Sequence, residues 1–282
     1  MRTIKKIHKA EYRPIADLIT YSPMPTRNLK MIDPFLFLNH HGPQQYPEGN
    51  KGLPFGPHPH RGMETVTFIL EGDIAHNDSD GHNSVIGSGG VQWMTAGSGL
   101  IHAEVSSEEF KKEGGPLEIL QLWVNLPAKF KMTKPRYRGL QQNNIPEIAL
   151  DDGKVKARVV SGKFEDSTGA FETLTPVSLS TLHFDSGGKY KTSVPGEENI
   201  LFYIIKGEIK INGKIAGALH LVEFGNNNES LEMEALANSI ILFGHAKPFK
   251  EPVVFGGPFV MNSAEEIDQA YEDYQKGKLG KW

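Results

Sequence analysis

The chain contains no cysteine. That absence excludes disulfides and thiolate metal sites, and it makes a reducing compartment the simpler expectation. No apolar run approaches the ~18 residues of a membrane-spanning helix. The opening MRTIKKIHKAEYRP carries charge without a following apolar core, so no secretory signal is expected. Charge of one sign is lacking too: 30 Lys and Arg stand against 34 Asp and Glu, a formal net of -4 over 282 residues. Nucleic-acid binding driven by electrostatics alone is therefore not expected, and no dense Lys/Arg cluster of the nuclear-targeting kind is present. These absences predict a cytoplasmic protein with neither membrane nor direct nucleic-acid partners.

What the chain has in quantity is turn residues. Thirty glycines and eighteen prolines separate many short β-branched runs, the pattern of an all-β protein. In MIDPFLFLNHHGP, Phe35 and Phe37 alternate with Leu36 and Leu38, so a strand there is apolar on both faces and buried on both sides. His40 and His41 at its end are read as structural or loop histidines. His76 and His82, in the polar and turn-rich segment after Gly72, are read as rim or loop residues.

The stretch from Pro54 to Glu104 organises the rest. It opens with His58-Pro59-His60, continues through an alternating segment from Glu64 to Leu70, turns at Gly72 and closes with His102-Ala103-Glu104. Residues two apart in a strand point to one face, so each pair can aim both side chains at one point. With the two strands adjacent, one metal ion could accept three imidazoles and a carboxylate, a donor set suited to iron, manganese, nickel, copper or zinc. Counting by twos from His58 also brings Glu64, Val66, Phe68 and Leu70 onto the histidines' face. That makes the face inward and offers Glu64 as a second candidate carboxylate. Phe55, Trp93 and Met94 flank these motifs and could form an apolar slot for a flat aromatic ligand.

From Leu126 the composition turns polar. Lys129, Lys131, Lys134, Arg136 and Arg138 crowd into one run, read as a linker crossing the surface, with a contact patch for an anionic partner as the sharper alternative. A domain boundary is placed near Gln141. Beyond it the chain repeats itself: ETVTFILEGDI (64–74) aligns with NILFYIIKGEI (199–209), Gly72 falls on Gly207, and Asn212-Gly213 marks a tight hairpin. The same offset sets Ser193 and Pro195 where His58 and His60 stand, so the second copy has lost the ligands, and His183, His220 and His245 are read as structural. The segment SAEEIDQAYEDYQKG predicts a helix, with Ser263 and Glu266 as a capping box and Ile267, Ala270, Tyr271 and Tyr274 as its apolar stripe. The expected division is 1–141 for a metal-bearing barrel, 142–262 for a metal-free one and 263–282 for the helix.

The runs PFGPHPHRGMETVTFILEG, GGVQWMTAGSGLIHAE and LQLWVNLP resemble the motifs of the pirin family, a branch of the cupin superfamily, and the likeness extends over essentially the whole chain. His58, His60, Glu64 and His102 fall in the slots of the general cupin pattern, with Gly97 where the second cupin motif usually has proline. The resemblance implies an all-β bicupin of two tandem barrels, with the C-terminal helix returning to pack on the N-terminal domain. It also implies that the carboxylate ligand is the one after the third histidine, Glu104, which leaves Glu64 as a buried hydrogen-bonding group. One divalent transition metal, Fe(II) as first choice, is implied at His58, His60, His102 and Glu104. Several family members act as quercetin 2,3-dioxygenases, opening flavonol rings with O2 and releasing carbon monoxide. On that pattern the partners are a flavonol and O2, and Glu104 serves as general base. Eukaryotic members act instead as nuclear co-regulators, which makes a metal-binding redox sensor with a protein partner the alternative.

Overall fold

Gly72 and Gly207 show how the chain builds its sheets. Both have positive φ, +82° and +84°, a conformation open to glycine. A Cβ there would come within 2.9 Å of the Pro116 carbonyl oxygen in the first case and 2.3 Å of the Asn238 one in the second. Each glycine ends a largely buried strand, Met63–Glu71 or Asn199–Lys206, and turns the chain into a strand of a second sheet, Asp73–Asp78 or Glu208–Ile211. The repeat visible in the sequence is thus a repeat of architecture. Asn212 and Gly213, both at positive φ, close the hairpin between Glu208–Ile211 and Lys214–Gly217.

The computed structural model describes residues 1–282 and is all-β apart from the helices Glu108–Glu113 and Ala264–Gln275 and short 3-10 turns. The chain forms two compact units, one of Met1–Glu11, Ser22–Phe35 and Asn143–Pro248, the other of Tyr12–Tyr21, Leu36–Gln142 and Phe249–Trp282. The terminal segments are therefore exchanged. Ile4–Lys9 pairs antiparallel with His220–Phe224, and residues 249–262 group with 36–142, so neither unit is a continuous stretch of sequence as the expected division had it. Each unit joins a seven-stranded sheet to a four-stranded one. No helix is long and apolar enough to cross a membrane.

In the unit built mainly from Asn143–Pro248, both sheets pour apolar side chains into one core. Phe202, Ile204 and Phe243 come from the seven-stranded sheet, and Ile209, Ile211, Leu231 and Met233 from the four-stranded one. In the other unit the core is smaller. Ile69, Leu117 and Ile119 meet Ile74 and Ile86, Met94, Ala96 and Leu100 form a separate small cluster, and His60, Gln92, His102 and Glu104 are buried beside them. The Phe35–Tyr46 strand is buried on both faces at its start, as the alternation predicts.

The C-terminal helix carries the expected capping box between Ser263 and Glu266. Its buried stripe differs from the expected one: Ile267, Ala270 and Asp273 are buried, while Tyr271 and Tyr274 are 40% and 38% exposed. Tyr271 packs edge-on against Phe259 and donates its hydroxyl to the Gly256 carbonyl, which holds it at the rim. The Lys129 to Arg138 run lies at the surface at Lys129, Lys134, Arg136 and Arg138 but not at Lys131, and its end is a strand rather than a linker. Lys131 is buried and donates to the carbonyl oxygens of Gly62 and Val260 and to Asn125 Oδ1, and Arg136–Leu140 is an edge strand paired with Val91–Thr95. The six-residue helix Glu108–Glu113, capped by Ser107, was not anticipated.

Candidate metal centre

The four-stranded sheet of the Leu36–Gln142 unit runs Phe55–His60, Leu100–Val105, Asp73–Asp78, Asn83–Gly87. The two motif strands are thus neighbours, with His102 directly opposite His58 and Leu100 opposite His60. A bulge between His102 and Glu104, which faces Phe55, re-aims the strand locally. The imidazoles of His58, His60 and His102 converge: their centroids lie 4.4 to 5.0 Å apart, and one ring nitrogen from each lies within 4.8 Å of the others.

Hydrogen bonding sets which nitrogens these are. His58 Nδ1 lies 2.7 Å from the Gly56 carbonyl oxygen and His60 Nδ1 3.0 Å from that of Pro258. A carbonyl only accepts, so both Nδ1 atoms carry the hydrogen and both Nε2 atoms present a lone pair. His102 Nε2 stands 3.0 Å from His58 Nε2, and His102 Nδ1 is buried with no partner. Whichever tautomer His102 takes, one buried ring nitrogen is left unpaired, at a cost of about 1–3 kcal/mol. With the hydrogen on His102 Nδ1, the Nε2 lone pairs of His102 and His58 face each other at 3.0 Å, a repulsion that a cation shared by the three Nε2 atoms would relieve, so the residues fit a metal. Burial pushes His60 down to about 3 and His102 well below the usual imidazole range, keeping both in the neutral form that a metal requires.

Glu104 is buried on the same strand. Its Oε1 accepts from Thr67 Oγ1 at 3.0 Å and from Gln92 Nε2, and its Oε2 accepts from Gln121 Nε2. It is not one of the groups inside the 4.8 Å cluster. Glu64, fully buried, lies elsewhere. Its Oε1 accepts from Thr95 Oγ1 at 2.6 Å, Oε2 has no partner, and burial pushes its carboxyl up.

The count by twos from His58 breaks at Arg61-Gly62. The first strand ends at His60, Gly62 has φ +80°, and a new strand begins at Met63. The faces interchange there, so Thr65 and Thr67 lie on the side of Glu104, and Glu64 shares the opposite side with Val66 and Phe68. The same alternation separates Trp93 from Met94. Trp93 is paired with Val66 and Met94 with Thr65, which places Trp93 away from the histidines. The tryptophan beside them is Trp123, edge-on to His60 at 5.3 Å and stacked on Phe37 at 4.7 Å. Phe55 packs against His41 at 5.1 Å.

His76, expected at the rim, is a buried strand residue opposite Glu104. Its ring lies 5.4 Å from His102 and stacks on Tyr137 at 3.7 Å, and its Nε2 is held by Asp78 Oδ2 at 3.0 Å. Tyr137 donates to Gln92 Oε1 at 3.1 Å and so braces one of the amides that hold Glu104. The signal for Gln121 and Trp123 was present in LQLWVN, where a polar residue and an indole two apart interrupt an otherwise apolar strand.

The chain is similar to known proteins in sequence and fold. Residues 17–124 match the family model described as Pirin and residues 179–280 the Pirin C-terminal cupin domain. A Pseudomonas aeruginosa protein named "Putative quercetin 2,3-dioxygenase" is 36% identical over 94% of this chain and 92% of its own length. Pirin-1 of Arabidopsis thaliana is 37% identical over 89% of this chain and 85% of its own. A crystal structure titled quercetin 2,3-dioxygenase from Acinetobacter baumannii superposes with a TM-score of 0.93 at 32% identity, covering 99% of both chains. The two units are accordingly cupin domains, and the chain belongs to the pirin family.

Proposed function

We propose that this protein is a metal-dependent dioxygenase of the quercetinase type, cleaving flavonols with O2 and releasing carbon monoxide. The observation that carries the proposal is the convergence of three imidazoles, with Glu104 two residues beyond the third, in an interior that also holds aromatic side chains. The names of the Pseudomonas and Acinetobacter relatives support it.

On this reading His58, His60, His102 and Glu104 hold one divalent transition metal, with Fe(II) the first choice. Bound there, the metal supplies a Lewis acid that acidifies the flavonol 3-hydroxyl and a redox partner for dioxygen. Phe55, Met94 and Trp123 give the flat rings an apolar seat. Glu104 is the group that receives the 3-hydroxyl proton, and Thr67, Gln92 and Gln121 fix its carboxylate. Glu64, on the other face of the sheet, takes no part.

The test is anaerobic purification with metal analysis, followed at once by a quercetin assay in air on the wild type and on His58→Ala. One iron per chain with His58-dependent loss of quercetin and release of carbon monoxide is the expected result. One metal per chain without turnover would sink the dioxygenase and favour the family's other mode, a metal-bearing co-regulator or redox sensor acting through a protein partner.

A further inference from the structure

The atom that orients His60 comes from far away in the chain. Pro258, whose carbonyl oxygen lies 3.0 Å from His60 Nδ1, belongs to the C-terminal segment Phe249–Trp282 of the same unit. This is not a chance touch, because the backbone on both sides is pinned. Val260 N–H donates to the Arg61 carbonyl at 3.0 Å, and Arg61 and Phe259 form a parallel bridge. The Lys131 ammonium spans the Gly62 and Val260 carbonyl oxygens at 2.9 Å each. A Cβ on Gly62 would come within 2.1 Å of the Val260 oxygen, so the close approach requires glycine there.

The helix that follows completes the clamp. The Arg61 guanidinium donates to Ser98 O at 2.8 Å and to Asp273 Oδ2 at 2.9 Å, and this ion pair is largely buried. Ile267, Ala270 and Leu279 pack with Phe259, Met261 and Ile101, and Ile101 immediately precedes His102. The C-terminal segment thus grips the residue after one predicted metal ligand and the residue before another.

We infer that the C-terminal segment is a working part of the metal site: through the Pro258 carbonyl it fixes the tautomer and ring orientation of His60, and metal affinity is coupled to the docking of the helix through Arg61 and Asp273. Asp273 is a positioning residue. The inference rests on the reading of His58, His60 and His102 as metal ligands. Its physical basis is that an imidazole whose Nδ1–H is held presents Nε2 ready to bind, whereas a released ring spends time in the wrong tautomer and the wrong plane. Loss of such an orienting partner typically weakens metal binding 10- to 100-fold. Coupling is reciprocal, so metal must in turn tighten the helix against the sheet.

The experiment uses the full-length protein with cobalt(II) as probe. Chelator competition gives the affinity of the wild type, Asp273→Ala, Asp273→Glu and, as a control on the exposed side of the same helix, Glu272→Gln. Asp273→Ala is expected to weaken cobalt binding about tenfold, with Asp273→Glu recovering part of it and Glu272→Gln unchanged. Hydrogen exchange on the wild type, which needs no variant to fold, is expected to show slower exchange across 254–275 when cobalt is added. In the metal-free wild type, nitrogen-15 spectra of the imidazoles are expected to show His60 protonated at Nδ1, with mixed tautomers in Asp273→Ala. Equal cobalt affinity in wild type and Asp273→Ala, or exchange across 254–275 indifferent to cobalt, overturns the coupling while leaving the metal reading intact. A wild type that takes up no cobalt overturns the metal reading itself.

Discussion

The two cupin domains are built from the same strands and do opposite things with their interiors. Met63–Glu71 and Asn199–Lys206 occupy matching places and end at matching glycines. Yet the first domain lines its inside with His58, His60, His102, Glu104, Gln92 and Gln121, while the second fills its own with Phe202, Phe243, Ile209 and Leu231. At the position corresponding to His60 stands Pro195. Around it the backbone turns its carbonyl oxygens onto a guanidinium: buried Arg2 donates to Val194, Pro195, Gly196, Glu198 and Gly225. A duplicated framework therefore tolerates a polar, metal-ready interior or a close-packed apolar one. What selects between them is which side chains face inward, since the backbone pairing is common to both. The apolar copy gains burial free energy that the polar copy forgoes. That forfeited burial matches the rule that functional sites depart from optimal packing.

The comparison can be broken most severely at His102. His102→Ala is expected to reduce bound metal from about one per chain to near none, read by metal analysis, because the remaining imidazoles cannot close the site. Next in size, Glu104→Gln is expected to lower flavonol turnover by roughly 10²-fold or more with metal still bound, the scale of a lost general base; unchanged turnover would remove Glu104 from the chemistry. In the apolar domain Phe202→Ala should cost about 3–5 kcal/mol of stability, seen in denaturant unfolding, and leave the metal count alone.

A smaller effect separates the domains by pH. His183, in the apolar domain, is pushed down to about 4, by burial first and then by Arg158, and its Nε2 is buried without a partner. Its folded value lies below the ordinary 6.5, so protonation favours the unfolded chain. The stability it permits is present above about pH 6.5 and is lost as pH falls toward 4. His183→Leu should flatten that part of the acid loss in urea melts. The smallest expected effect is none: Ser193→His with Pro195→His should create no second metal equivalent, because no third imidazole is placed to join them and Arg2 already uses the local carbonyls. A second bound metal would show that ligand identity alone separates the domains.

Much of this was legible in residues two apart. The pairs His58/His60 and His102/Glu104 announced adjacent strands, and the constant offset between Gly72 and Gly207 announced the duplication. Parity by itself misled where the chain changed strands: nothing in the letters Arg61-Gly62-Met63 says that the faces interchange there, and Glu64 was assigned to the wrong side for that reason. Lys131 was misread because a lysine in a basic run looks solvated. It is buried only because Gly62, Val260 and Asn125 supply three acceptors from distant positions. The terminal exchange was invisible for the same cause. Pairing between Ile4–Lys9 and His220–Phe224 is a long-range event, and short-range periodicity carries no record of it. The resemblance to the pirin family supplied the choice between the glutamates that local patterning had left open.

The exchanged termini also impose an order on synthesis. As the chain leaves the ribosome, the strands bearing His58, His60 and His102 emerge early and can pair at once. The carbonyl that orients His60 and the carboxylate that pairs with Arg61 appear only after all of Asn143–Pro248 has been made. A nascent chain halted at the domain junction would hold three imidazoles without their brace, so on the coupling proposed above tight metal uptake would wait for the segment after Pro248.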